Sequence, residues 1–234
     1  MFIGHFAVAF AAKRAAPKVS LGTLFIACEL VDIAWPVFLL AGLERAAIHP
    51  GITAFTPLEF IHYPWTHSLL MGVAWAVLFA LLHFSFFRNR TSSMVLGAVV
   101  LSHWLLDAIA HRPDLPLAPG GEARIGLGLW HSVPATLALE GALFAAGLAL
   151  YLQGTKPNDG AGRWGLWALV AFLLVAYAGA AFGPPPPGMA SIALVKSARH
   201  TCSICASSSS CGGSPSARSV VTMIPCSASI SVMK

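Results

Sequence analysis

The stretch THSLLMGVAWAVLFALLHFSFF, residues 66 to 87, decides what kind of protein this chain is. It holds no Asp, Glu, Lys or Arg, and it is longer than the buried apolar helices of soluble proteins, which rarely exceed about 14 residues. About 20 residues of helix cross the hydrocarbon core of a bilayer. The stretch therefore predicts a transmembrane helix. This helix ends at the polar residues Arg88, Asn89 and Arg90.

The composition of the whole chain extends this prediction. Of 234 residues, 57% are hydrophobic and 10% are charged, with a mean hydropathy of +0.75, whereas soluble chains carry about 25% charged residues. Further apolar segments lie at about 20–43, 92–110, 129–152 and 164–182, and a shorter one at 2–12 cannot cross a bilayer alone. We therefore expect residues 1–183 to form an all-α, polytopic membrane bundle of about five full transmembrane helices plus a short N-terminal helix.

The remaining residues, 184–234, have a different composition. Four prolines, Pro184 to Pro187, precede a region rich in Ser that holds four of the five cysteines. Cys202 and Cys205 have the spacing of half a zinc site, but Cys211 and Cys226 do not form the matching second pair. We interpret 184–234 as a disordered tail or as the product of a reading-frame slip, and we assign it no function.

The loop charges predict the orientation of the chain in the membrane. The loops after the first, third and fifth segments hold seven Lys and Arg, and those after the second and fourth hold three. Because basic loops stay in the cytoplasm, loops 44–65 and 111–128 should face outside the inner membrane. The net charge of +5 then reflects cytoplasmic loops, so we expect membrane lipids as partners, and neither nucleic acid nor a particular protein.

Several ionisable residues lie inside or at the outer ends of these segments, where burial is costly. His103 and Asp107 are four residues apart and share one face of a helix, so both can reach a single ion. The alternative for such a pair alone is a hydrogen bond or ion pair that joins two helices. Asp32 and His67 fall in the same outer half, and His5 reaches it if the short first helix inserts from the cytoplasmic side. The cluster favours a metal site.

Imidazole and carboxylate ligands suit zinc, manganese or iron, and a catalytic site keeps one position open for water. The predicted divalent-metal ligands are His5, Asp32, His67, His103 and Asp107. His111 and His131, at the outer ends of two segments, are the predicted catalytic residues that protonate a leaving group.

These residues occur in a familiar order. The chain has Gly4-His5, then Asp32 with Pro36, then Thr66-His67-Ser68, then His103-x-x-x-Asp107. In the order of these motifs the chain resembles the bacterial family described as LexA-regulated, membrane-bound, metal-dependent hydrolases. The resemblance covers about residues 1–183. The resemblance implies a helical membrane protein with metal-dependent hydrolase activity. Its second motif departs from the Pro-Asp-Ile-Asp-His of the family, because the stretch Leu30–Pro36 lacks one carboxylate and one imidazole.

Three functions remain open from the sequence. The first is a metal-dependent hydrolase that acts at the outer leaflet on a phospholipid or another phosphoester. The second is a transporter in which the same residues form a proton or cation path, although no pair of inverted repeats with broken helices is visible. The third is a non-catalytic protein in which a metal holds the helices together.

Overall fold

The computed structural model describes residues 1–157 and 159–184. Within these ranges the helices are α1 (Ile3–Ala15), α2 (Leu21–Cys28), α3 (Leu30–Leu40), α4 (Pro64–His67), α5 (Leu69–Phe87), α6 (Arg90–Ala110), α7 (Val133–Gly154) and α8 (Gly160–Phe182). Short strands are β1 (Arg45–Ile48), β2 (Leu58–His62), β3 (Leu115–Pro116) and β4 (Arg124–Ile125), and a 3-10 turn covers Leu129–His131. The predicted tail, 184–234, lies outside the described residues except for Pro184.

Four helices are long and apolar enough to cross a membrane, namely α5, α6, α7 and residues 162–182 of α8. The pair α2 and α3 makes a fifth span if the two are taken together, with a bend of 50° between them. The 13 residues of α1 are too few to cross a bilayer. The predicted helical membrane fold, with about five full spans and a short N-terminal helix, is confirmed.

The short helix α1 lies inside the bundle, mainly against α7, with α2 and α6 beside it. Gly147 of α7 permits this close packing, because a Cβ there would lie 2.3 Å from the carbonyl oxygen of Ala7. The first turn of α1 is held by Glu140, a fully buried residue of α7. Its carboxylate accepts hydrogen bonds from the backbone N–H groups of Phe2 (2.8 Å) and Gly4 (3.2 Å). Such groups have no partner within a helix, so Glu140 fixes where α1 begins.

The second predicted segment, 20–43, is not one helix. It breaks at Glu29 between α2 and α3, whereas the prediction treated it as continuous. The third segment also differs at its start, because Thr66 and His67 belong to α4, and Ser68 then begins α5 by accepting a hydrogen bond from the backbone N–H of Met71. Both breaks place polar side chains beside α6 instead of along the membrane face.

The loops predicted at 44–65 and 111–128 contain two small antiparallel ribbons. Strand β1 pairs with β2, and β3 pairs with β4. An aromatic cluster lies beneath them, formed by Trp35, Phe60, Tyr63 and Trp104 with Leu115. The ribbons therefore close one end of the bundle over α3 and α6.

The turns rich in Lys and Arg gather at the opposite end. Lys18, His83 and Asn89 line one cavity there, which brings the α1–α2 and α5–α6 turns together. Gly154 at the end of α7 lies against the side chain of Arg14 at the end of α1. The structure thus places the basic turns and the ribbons at opposite ends of the bundle, which is the separation that the predicted orientation requires.

Candidate metal centre

Helix α6 supplies the pair on which the site is built. His103 and Asp107 lie one turn apart, both are buried, and Nε2 of His103 is 3.3 Å from Oδ2 of Asp107. The sequence predicted that these two side chains share a face, and their distance agrees with that prediction.

His67 and Asp32 complete the group from the two breaks in the fold. Nε2 of His67, at the end of α4, lies 3.0 Å from Oδ1 of Asp32 in the first turn of α3. The same Asp32 oxygen is 3.6 Å from Nε2 of His103, and Nε2 of His67 is 3.9 Å from Oδ2 of Asp107. Four predicted ligands from three helices therefore converge on one point.

The fifth predicted ligand, His5, approaches from α1 on the other side of Asp107. Its Nε2 is 3.2 Å from Oδ1 of Asp107, an oxygen that the backbone nitrogen of Met1 also contacts. Its ring stacks on the ring of His103, with centroids 3.7 Å apart. His5 thus reaches the predicted zone on a helix whose other end lies among the basic turns, while Oδ2 of Asp107 faces the other residues.

Two overlapping sets of donors could hold an ion, with all donor atoms of a set within 4.8 Å of one another. One set is His5, His103 and Asp107, and the other is Asp32, His67 and His103. Both need His103, and one imidazole nitrogen offers one lone pair, so the two sets cannot be filled independently. The second set also has Oδ2 of Asp107 close by, which gives it a fourth donor.

A hydrogen bond behind His103 fixes which of its nitrogens carries the proton. Nδ1 of His103 is 2.7 Å from the carbonyl oxygen of Cys28. A carbonyl can only accept, so Nδ1 donates, and in the neutral ring Nε2 keeps its lone pair. Cys28 is the last residue of α2, and its carbonyl has no partner within that helix. The break in the second span is therefore what orients His103.

A second network fixes His67 in the same way. The buried carboxylate of Glu44 accepts hydrogen bonds from the backbone N–H groups of Trp65 and Thr66 and, at 2.8 Å, from the Thr66 hydroxyl. Because that hydroxyl proton is used, the Thr66 oxygen accepts from Nδ1 of His67, 2.7 Å away. Nε2 of His67 then also presents a lone pair to Asp32.

This arrangement fits a cation. In their neutral form the two imidazoles turn lone pairs towards the oxygens of two carboxylates at 3.0 to 3.6 Å, and acceptors at such distances repel unless a cation, or a proton on the imidazole, lies between them. Nε2 of His103 is buried without a hydrogen-bond partner among the described residues. Imidazole and carboxylate together suit zinc, manganese or iron, so the cluster could hold a divalent ion.

His111, predicted to be catalytic, lies at the edge of the cluster. Its Nε2 is 3.8 Å from Oδ2 of Asp107, and its Nδ1 is 3.1 Å from Oδ1 of Asp114. Asp114 also accepts from the hydroxyl of Tyr63 at 3.0 Å and from Nε of Arg112 at 2.7 Å. Burial raises the pKa of Asp114, but these hydrogen bonds outweigh it and hold the pKa below its ordinary value. Asp114 thus stays ionised and keeps His111 oriented.

His131, the other predicted catalytic residue, is not brought to this cluster. It lies in the 3-10 turn with an exposed side chain, whereas its neighbour Trp130 packs on the ring of His111 at 4.4 Å between centroids. The sequence placed His131 at the right end of the fold, but the turn faces its side chain outward.

Sequence reasoning missed Glu44 and Asp114. Asp114 had a signal, since it follows His111 by three residues, but it was taken as part of a loop. Glu44 had none, because 22 residues separate it from Thr66 and a single Glu after an apolar segment is typical of a membrane boundary. Only the fold shows that it is buried.

A cavity of about 460 Å³ opens onto the cluster. Asp32, His67, Asp107 and His111 form its polar end, and aromatic side chains such as Trp35, Phe60 and Trp130 form much of the remaining wall. A ligand at the metal site would therefore be approached through a largely apolar space.

The fold and this cluster define the class of the protein as a multi-pass helical membrane protein with buried His and Asp residues that could hold a metal ion. A family model described as YdjM inner membrane protein matches residues 1–183. The chain therefore belongs to this family, the LexA-regulated membrane proteins, which confirms the resemblance and places the protein in the inner membrane. No curated protein and no solved structure matches the chain.

Proposed function

We propose that the protein is a metal-dependent hydrolase that acts on phosphoesters at the outer face of the inner membrane. The observation that carries this proposal is the pair of imidazole lone pairs, on His67 and His103, that face the carboxylates of Asp32 and Asp107. These four residues would hold one divalent ion. His5, stacked on His103, supports that side chain from behind.

Besides metal ligands, hydrolysis requires an activated water and a group that transfers protons, and the site can supply both. A divalent ion in such a donor set supplies a water whose pKa is lowered towards about 7. His111 would take the proton of an attacking water at Nε2, because its Nδ1 is held by Asp114. As the water oxygen bonded to phosphorus, the ester P–O bond would break, and His111 would pass its proton to the departing oxygen. Water and a phosphoester thus yield an alcohol and a phosphate product.

The placement of the cluster favours a substrate from the outer leaflet. The site lies under the β1–β2 and β3–β4 ribbons, at the end of the bundle opposite the basic turns. With the predicted orientation, the outer leaflet is the one nearest this end of the bundle. A soluble phosphoester that reaches the cavity from outside is the other substrate compatible with this chemistry.

One observation favours the transporter as a second candidate. Broken helices at mid-membrane are typical of transporters, in which freed carbonyls bind the transported ion, and the α2–α3 pair is broken beside the cluster. Here, however, the freed carbonyl of Cys28 accepts from His103. It therefore serves to orient a ligand and not to line a path.

Metal analysis of the full chain, purified in detergent, tests the proposal first. We expect about one ion of zinc, manganese or iron per chain, lost in His67→Ala and Asp107→Asn and retained in the matched control His83→Ala. His83 suits as a control because it bonds to Ser93 at the opposite end of the bundle. A folded wild-type protein that binds none of these metals would contradict the proposal.

An activity assay tests the second part of the proposal, that the metal-loaded protein hydrolyses phosphoesters. The metal-loaded protein is incubated with mixed bacterial phospholipids and with a soluble phosphodiester, and released alcohol and phosphate products are measured. We expect products with the wild type and with His83→Ala, and none with Asp107→Asn. A loaded protein that cleaves neither substrate but carries metal ions across vesicle membranes would support the transporter instead.

A further inference from the structure

The cavity beside the cluster continues into a second space. The second cavity, of about 560 Å³, shares Phe55, Thr56, Leu58 and Ala180 with the first. Together they run from the polar end of the site, past the segment 50–58 before β2, to the last turn of α8. Cavities of this size that are lined mainly by apolar groups, with a few polar ones, are typical of small-molecule sites.

One wall of the second cavity is a helix that faces lipid. The end of α8 contributes only the small residues Gly179, Ala180 and Ala181 there, and Gly183 follows directly after the helix. Residues 162–182 are a candidate membrane span, and Gly179 and Ala180 are exposed. Because α8 lines this wall with Gly and Ala alone, no large α8 side chain blocks access from the region that hydrocarbon chains would occupy beside the helix.

The first cavity also has hydrogen-bond donors without acceptors. Trp35 and Trp130 line it, and Nε1 of each indole is buried without a partner among the described residues. Trp35 is only 7% exposed. Leaving a buried N–H group unpaired is costly, so these indoles suit a ligand that brings acceptor oxygens, such as a phosphate group.

We propose that the two cavities together form a binding site for a membrane phospholipid. Its phosphate lies at the polar end beside Asp32 and His67, within reach of the indole N–H groups of Trp35 and Trp130. One hydrocarbon chain extends along the segment 50–58 and the last turn of α8. The lipid enters sideways from the outer leaflet past Ala180. This assignment rests on the proposed function, because the positive charge that attracts the phosphate is the metal ion.

A soluble phosphoester explains less of the structure. Its polar groups would fill only the end near the cluster, and the second cavity would have no occupant. The small residues on α8 would then leave an opening to the hydrocarbon region with no ligand to use it. A phospholipid accounts for the polar end, the unpaired indoles and the opening on α8 at once.

Photo-crosslinking of the full chain tests this site. The metal-loaded protein is placed in vesicles of phosphatidylethanolamine and phosphatidylglycerol that contain a phosphatidylglycerol with a diazirine on its acyl chain. We expect labels on residues within 50–58 and on the last turn of α8. Labels spread evenly over the lipid-facing surface of α5, or crosslinks between two copies of the chain at the α8 opening, would overturn the proposal.

A matched pair of variants on α8 sharpens the test. Ala180→Trp fills the shared wall of the cavities, so labelling should fall about tenfold. Ala178→Trp, an exposed position of the same turn that does not line either cavity, should leave labelling unchanged. Equal labelling of the two variants would refute a lipid chain in this space. Both should keep the metal content of the wild type, which separates this outcome from failure of the metal centre.

The head-group contact has its own test. Trp35→Phe keeps an aromatic side chain and removes the N–H, so labelling by the phosphatidylglycerol probe should fall several-fold while labelling by a diacylglycerol probe stays the same. If both probes respond equally, the indole does not recognise phosphate. Protection of the site by inorganic phosphate together with no lipid labelling would indicate a soluble substrate and overturn the lipid assignment, although the proposed hydrolase would stand.

Discussion

Helices α5 and α6 are neighbours in the chain, pack against each other and are both apolar, yet they have different surroundings. In the most apolar stretch of α5 only 11% of residues are buried within the protein, against 50% in α6. Helix α5 presents most of its surface to lipid, and α6 lies between α1, α2 and α5. Apolar composition therefore predicts that both cross the membrane, but the polar pair His103 and Asp107 identifies which one is enclosed by protein.

The largest difference should appear when a leucine is truncated on each helix. Leu96 of α6 is 0% exposed, and Leu81 of α5 is 61% exposed. Leu96→Ala leaves a cavity and should cost about 2–5 kcal/mol of stability, whereas Leu81→Ala should change stability by less than about 0.5 kcal/mol. Thermal unfolding in one detergent compares the two. Equal losses would mean that α5 is also enclosed, for example by a second copy of the chain.

The glycines between the two helices give a finer comparison. A Cβ on Gly97 of α6 would lie 3.1 Å from the carbonyl oxygen of Ala76, but a Cβ on Gly72 of α5 would meet Trp104 at an ordinary 3.6 Å. Gly97→Ala should therefore cost about 1–3 kcal/mol by overpacking. Gly72→Ala should be neutral, or stabilising by up to about 1 kcal/mol, because Ala favours a helix. The same unfolding measurement would contradict this packing if the order were reversed.

The next prediction concerns α4, the short helix before α5, where Thr66 orients the ring of His67. Thr66→Val removes the hydroxyl that links Glu44 to His67 and should weaken metal affinity about 10- to 100-fold, as loss of a ligand's hydrogen-bond partner commonly does. Thr66→Ser keeps the hydroxyl and should retain most of the affinity. Titration with zinc against a competing chelator gives both values. Equal affinities would show that the hydroxyl does not orient His67.

Orientation can be examined without any expected change in stability. In a chain whose five cysteines are replaced by serine, Glu122→Cys should react with an impermeant thiol reagent applied to intact cells. Lys156→Cys, between α7 and α8, should react only after the cells are opened. Both side chains are exposed, so access alone decides the result. The opposite pattern would invert the predicted topology.

How far the sequence predicts this molecule differs between its regions. Segments α5 to α8 follow from length and hydropathy, and the i, i+4 spacing of His103 and Asp107 suffices to place those two side chains together. The break at Glu29 was not predicted, because both halves of the segment are apolar and the cause lies in tertiary contacts such as the hydrogen bond from His103 to Cys28.

Contacts between residues distant in the chain could likewise not be predicted from the sequence. Glu44 becomes part of the site only because the β1–β2 ribbon returns the chain to α4, and no local pattern encodes that approach. His131 shows the converse, since its position at the end of a segment was right but the conformation of a three-residue turn decides where its ring lies. The cavity beside α8 depends on elements distant in sequence and has no signature in any one of them.

The capping of α1 by Glu140 has a consequence for biogenesis. The two hydrogen bonds join residues separated by 138 and 136 positions. Helix α1 therefore leaves the ribosome long before α7, the helix that caps it. With 13 residues this helix cannot be inserted as a stable span by itself. It must wait at the membrane surface until α7 has been translated and inserted, and His5 joins the cluster only then. If the cluster holds a metal as proposed, its loading should be a late step of maturation that follows synthesis of α7, which ends at Gly154.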